Sequence, residues 1–110
     1  MGYVAWFKKK AGEKEALRKE AFKEAQRLSA LLHKEFPFEA LYLIGSVIKG
    51  KGFTRHSDID FVVRGLEEDL FFKAFAFLLK NSRFDIDLKP WEELDEESKK
   101  TVEREGGILS

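Results

Sequence analysis

Asp58 and Asp60 stand two residues apart at the start of an apolar run, 59–63. In an extended strand, residues i and i+2 share a face and lie roughly 7 Å apart at Cα, so both carboxylates can turn toward one or two hard cations. Mg²⁺ takes oxygen ligands and usually needs only one or two carboxylates, completed by substrate phosphates. Upstream, another apolar run, 39–44, ends in Gly45-Ser46. A glycine at a strand end lets the backbone approach a phosphate closely, and exposed N–H groups in such a turn form an anion nest. The Ser46 hydroxyl adds a donor, and Lys49 a charged phosphate contact. Taken alone, Asp-x-Asp is most often a solvated pair and Gly-Ser an ordinary turn. Together they are complementary: one half accepts a polyphosphate, and the other holds the metal that neutralises it.

A third piece is the stretch 84–88, in which Phe84, Ile86 and Leu88 alternate with Asp85 and Asp87. Adjacent strands lie about 4.8 Å apart, so a carboxylate from this strand can join the other two. Three carboxylates that close repel one another unless cations neutralise them. With metal, such a cluster supports in-line phosphoryl or nucleotidyl transfer. Without Asp58 and Asp60, an exposed acidic strand face would be the plainer reading.

The elements that must position these groups follow from periodicity. Leu17, Ala21, Ala25, Leu28, Leu31 and Leu32 predict a long amphipathic helix over 13–36, stopped by Pro37. Strands are expected at 39–44 and 59–63, joined by a basic loop, 47–57, that holds Gly50, Gly52, Lys49, Lys51, Arg55 and His56. Residues 67–80 read as a second helix, apolar nearly all round, which implies deep burial or an interface. After the strand 84–88, Asp95 caps a final helix to about residue 105, with Gly106 just past its end. The order helix, strand, loop, strand, helix, strand, helix predicts an α+β fold, a small mixed sheet with helices packed on it, as one domain over 1–110.

Composition narrows the classes of function. Lys plus Arg and Asp plus Glu balance at 20 each among 110 residues, so there is no broad basic footprint for nucleic acid or an anionic membrane. With no Cys, disulfides and thiolate metal sites are excluded. No apolar run is long enough to span a bilayer, and no signal-peptide pattern opens the chain, so a cytoplasmic protein is expected. Of the two histidines, His33 reads as a helix-end surface residue and His56 as a solvated loop residue. Tyr3, Val4, Trp6 and Phe7 pad the core or meet another chain.

The segment IGSVIKGKGFTRHSDIDFVV resembles the signature of the minimal nucleotidyltransferases, the smallest members of the DNA polymerase beta-like nucleotidyltransferase superfamily. There a Gly-Ser is followed by Asp-x-Asp, commonly within Ser-Asp-Ile-Asp. Gly45, Ser46, Gly50, Ser57, Asp58, Ile59 and Asp60 match it. The stretch FDIDLKPWEELDEESKKTVEREGGIL resembles the family's ending, with Asp87 rather than Asp85 at the position of the third carboxylate. Two departures stand out: the spacing from Ser46 to Asp58 is one residue longer than usual, and Val47 stands where an Arg is frequent.

The resemblance implies a nucleotidyltransferase fold and transfer of AMP from ATP with two Mg²⁺ ions. Asp58, Asp60 and Asp87 are the implied catalytic and metal-binding residues, and Gly45, Ser46, Lys49 and Ser57 the implied nucleotide-binding ones. It further implies a partner, a HEPN-family toxin neutralised by adenylylation of a tyrosine, in a hetero-oligomer or beside a homo-oligomer. A chain of this length has no room for a module that holds the acceptor, so the acceptor is expected on another molecule. The apolar helix and the N-terminal aromatic residues are candidate docking surfaces. Two alternatives stay open: an idle antitoxin that works by binding alone, suggested by the two departures, and adenylyl transfer to a small molecule.

Overall fold

Ala21, Ala25, Leu28 and Leu32 recur at intervals of three and four and are all fully buried, the mark of one helix stripe laid against a core. The computed structural model of the protein describes residues 2–49 and 57–109, with side chains from Glu15 onward other than those of Ser46 and Lys49. In it the stripe belongs to α1, Gly2–Glu35. The helix starts well before residue 13, where the spacing places it. Lysine and alanine favour helix, and a lone interior glycine such as Gly12 costs only about 1 kcal/mol, so the helix propagates through it. The side chains of Tyr3, Val4, Trp6 and Phe7 lie outside the described ones. At the other end the Phe36 N–H donates to the Leu32 carbonyl (2.9 Å), and Pro37 closes the helix as expected.

The sheet has four strands: β1 (Ala40–Ile44), β2 (Ile59–Arg64), β3 (Ile86–Pro90) and β4 (Gly107–Ile108). Their order is β3-β2-β1-β4, with β1 antiparallel to β2 and β4, and β2 parallel to β3. Parallel neighbours need a crossover. It is made by a 3-10 turn, Glu68–Leu70, leading into α3, Phe71–Asn81. β3 runs two residues later than its alternation predicts and takes in Pro90. A proline is tolerated there because β3 is an edge strand with no neighbour to miss the N–H. β4 is not legible in the sequence, since two residues, one of them glycine, carry no alternation. It forms where the chain leaving α4, Glu96–Glu105, passes beside β1, and the Leu109 N–H donates to the Leu41 carbonyl (2.8 Å).

Both sheet faces are covered. Leu41, Leu43, Ile59, Phe61, Val63, Ile86 and Leu88 pack with the α1 stripe and with Ala74 and Leu78 of α3. On the other face, Tyr42 and Val62 cluster with Trp91 and with Val102 of α4. The Tyr42 and Trp91 rings stack at 5.6 Å, and the Arg64 guanidinium lies 4.8 Å from the Trp91 ring centre. The consecutive apolar residues Phe61, Val62 and Val63 of β2 are thus explained by burial on both sides. The all-round apolar character of α3 is explained only in part, because Phe72 remains 81% exposed. No helix among the described residues is long and apolar enough to cross a membrane.

One buried charge ties α1 to the turn after α3. The Glu24 carboxylate accepts from Arg27 Nε (2.6 Å) and from the Arg83 backbone N–H (2.8 Å), and is nearly inaccessible. The bond from Arg27, followed by that from Arg83, holds its pKa below the ordinary glutamate value against the opposing effect of burial. Glu24→Ala should lower the unfolding free energy by about 1–3 kcal/mol at neutral pH, because both donors lose their acceptor. A lowered folded pKa means the contribution is complete above the unfolded glutamate range and fades as pH falls through the folded value. Chemical denaturation of both proteins from pH 7 to pH 3 should therefore show the difference shrinking.

Candidate active site

β1 ends at Gly45 with φ of +79°, a backbone region that side chains with a Cβ disfavour. A Cβ placed there would also collide with Asp60 Oδ2. The turn therefore brings bare backbone against a carboxylate. It continues into α2, Ser46–Lys49, within the stretch from 47 that the sequence presents as loop. Val47 is fully buried and Ile48 packs against the core, while an Arg18 guanidinium N–H donates to the Val47 carbonyl (3.1 Å). Burial outweighs the modest helix propensity of β-branched residues here. Val47 is thus a core residue. The Ser46 and Lys49 side chains lie outside the described residues, as do residues 50–56 with Gly50, Gly52 and His56.

Register places the acidic groups. Ile44 pairs with Asp60 across β1 and β2, and Asp60 pairs with Asp87 across β2 and β3, so the three residues form one row on neighbouring strands about 4.8 Å apart. Asp60 is half-buried, and its carboxyl is pushed above the ordinary aspartate value. Burial is the main cause, the negative charge of Asp87 the next, and Asp58 adds a smaller push, while Lys89 pulls the other way. Asp58 lies just ahead of β2 and is exposed, with half-buried Ser57 before it. Asp85 is exposed, two residues before Asp87 and just ahead of β3; its backbone carbonyl accepts from the Ile59 N–H (2.8 Å).

Asp60 and Asp87 are side by side, then, with Asp58 close enough to be felt. They are not drawn into a closed ligand set: among the described residues, no three His, Cys, Asp or Glu side chains are placed to hold one metal ion. The donor chemistry nonetheless fits a hard divalent cation, because two register-paired carboxylates beside a glycine offer oxygen ligands and leave room for phosphate oxygens. His33 takes no part. It is exposed at the end of α1, edge-on to Phe38 at 5.0 Å.

Two features escaped the sequence reading. Lys89 follows Asp87 by two residues on β3, and its Nζ lies 3.4 Å from Asp87 Oδ2. The signal was present in the alternation Asp87-x-Lys89, which puts both on one strand face. The second is a pair of adjoining hollows along α4. One, of about 320 Å³, is lined by Ile44, Val62, Lys89, Glu97 and Thr101. The other, of about 210 Å³, is lined by Ile44, Gly45, Ile48, Thr101 and Gly106. α4 thus walls the row on the same sheet face, its start fixed by Asp95 Oδ1 accepting from the Ser98 N–H (2.7 Å). Gly107 of β4 matters too, because a Cβ there would press on the Ile48 side chain.

No family model matches the chain, and no curated protein matches it. Solved structures do. A toxin–antitoxin crystallised with AMP-PNP aligns with a TM-score of 0.65 at 22% identity, over 77% of this chain and 72% of that one. A mutant of the toxin–antitoxin MntA–HpeT, with two aspartates two residues apart changed to glutamate, gives 0.63 at 19% identity, over 77% and 71%. A protein of Sulfolobus solfataricus, provisionally described as a nucleotidyltransferase, gives 0.54 at 27% identity, over 89% and 84%. The chain therefore has the nucleotidyltransferase fold. The resemblance carried by Gly45-Ser46 and Asp58-Ile59-Asp60 is borne out at that level.

Two glycine substitutions should part company. Gly45→Ala forces a Cβ into a left-handed backbone and into Asp60, and should destabilise the protein by about 1–3 kcal/mol. Gly12→Ala, inside α1, should instead stabilise it by up to about 1 kcal/mol. Urea unfolding midpoints of the two variants against the parent protein measure both.

Proposed function

We propose that the protein is a Mg²⁺-dependent nucleotidyltransferase that moves AMP from ATP to a hydroxyl group on a partner toxin and so neutralises it. The observation that carries this reading is the pairing of Asp60 with Asp87 across β2 and β3, beside the side-chain-free Gly45, in a fold shared with a toxin–antitoxin solved with AMP-PNP. The altered aspartates of the MntA–HpeT mutant have the spacing of Asp58 and Asp60, which supports a functional role for that pair. Asp58, Asp60 and Asp87 would hold the metal, and Gly45, Ser46, Lys49 and Ser57 the triphosphate. When bound, Mg²⁺ neutralises polyphosphate charge and makes the α-phosphorus a better electrophile.

The chain's own residues would do the rest. Gly45 admits the phosphates close to the backbone, and α4 excludes water from one side of the row. The acceptor oxygen forms a bond to the α-phosphorus, the α–β phosphoanhydride bond breaks, and pyrophosphate leaves with the electron pair. The acceptor's proton passes to Asp87. On the resemblance described above, the partner is a HEPN-family toxin, the acceptor a tyrosine, and residues 1–110 one minimal catalytic domain that receives its acceptor from that partner.

A second reading, neutralisation by binding alone, is favoured by the ion pair that engages Asp87. One experiment separates the two. With α-labelled ATP, Mg²⁺ and the toxin, label should appear on the toxin, and Asp60→Asn or Asp87→Asn should cut the rate at least about 100-fold. No label, with toxin inhibition intact in the Asp58→Ala/Asp60→Ala protein, would establish binding alone. Label on a small metabolite instead of the toxin would reassign the acceptor.

A further inference from the structure

We propose that Lys89 is the resident counter-cation of the Asp60–Asp87 pair: its ammonium sits where an incoming divalent cation must compete, and so sets the affinity of the pair for metal. This rests on the reading of Asp60 and Asp87 as metal ligands. The geometry gives Lys89 both a hold on the pair and a way off it. Its Nζ lies 3.4 Å from Asp87 Oδ2, and both side chains are partly exposed. Position 89 is two residues from Asp87 and in register with Val62, which is two residues from Asp60. The lysine therefore stands over the next row of the same face, within reach of both carboxylates. A half-exposed ion pair is weak and exchanges readily with solvent. Lys89 also lines the hollow of about 320 Å³ with Glu97 on its wall, so an ammonium released by Asp87 has space and a second carboxylate nearby.

The physical need for such a group is plain. Two carboxylates held side by side in a parallel pair repel, and Asp60 is half-buried, so its charge is poorly screened. An ammonium beside Asp87 relieves that repulsion while the pair is without metal. A doubly charged ion is attracted to two carboxylates more strongly than a singly charged one held by a flexible stem, and would outcompete it. The lysine thus becomes a barrier to loading, and also a safeguard against capture of adventitious cations. Lys89 is a positioning residue in this scheme, acting through Asp87 and touching neither nucleotide nor acceptor. A merely solvated lysine would have no bearing on metal affinity.

The test is titration with Mn²⁺ alone, followed by the loss of the free-ion paramagnetic resonance signal. Lys89→Met and Lys89→Gln should bind Mn²⁺ about three- to tenfold more tightly than the parent, from removal of one positive charge several ångströms from the ion. Lys89→Arg, which keeps the charge, should stay within about twofold. Position 89 is exposed enough for all three variants to fold, which circular dichroism checks. Unchanged or weaker binding in both neutral variants, with the parent binding Mn²⁺, would overturn the role of Lys89 and leave the metal-ligand reading standing. Failure of the parent and every variant to bind Mn²⁺ would overturn both.

Discussion

Everything at the site depends on the register of two parallel strands. β2 and β3 pair so that Asp60 meets Asp87, and a slip of one residue would send one carboxylate to the opposite face. That placement is unfavourable on its own, since like charges meet and one of them is half-buried. It persists because the same register also seats Ile59 against Ile86 and Phe61 against Leu88, apolar residues packed in the larger core. The hydrophobic pairing on one face fixes the acidic pairing on the other. Like-charge juxtaposition held by an unrelated core is a common physical basis for a reactive centre.

The glycine at the end of β1 completes the arrangement from the antiparallel side. Ile44 continues the row, and Gly45 then turns in a left-handed conformation with no side chain to crowd the Asp60 carboxylate. α4 closes the same face from above, with Val102 buried against Tyr42, Val62 and Trp91. The site is thus assembled from four segments far apart in the chain. The stacked Tyr42 and Trp91 rings and the Arg64 guanidinium over them anchor the region where those segments cross.

Much of this was legible in the sequence, for definite reasons. The Asp58-x-Asp60 and Asp85-x-Asp87 spacings flank or enter strands whose apolar alternation fixes the side on which the carboxylates lie, while the choice of Asp87 over Asp85 came from the family resemblance. The helix cap at Asp95 was legible because capping is a local hydrogen bond. What failed to show was set by tertiary contacts. α2 forms because the core takes up Val47, although four residues carry no helical period. β4 is too short to alternate and exists only against β1. The apolar spacing placed the start of α1 later than the helix has it, since propagation needs no apolar stripe and tolerates one glycine. Lys89 passed as one surface lysine among many until the register set it over the acidic row.

The short strand β4 has a structural role out of proportion to its two residues. Gly107 is bare where Ile48 of α2 comes to rest, so β4 acts as a backstop for the turn that carries Gly45. A chain clipped just after α4 would keep all three aspartates and the whole β2–β3 register, yet lose the surface that fixes how far that turn can swing. The acidic groups and the phosphate-facing turn would then be two loosely connected halves. In that sense the geometry of the site is gauged from the far edge of the sheet, by a residue that carries no functional group at all.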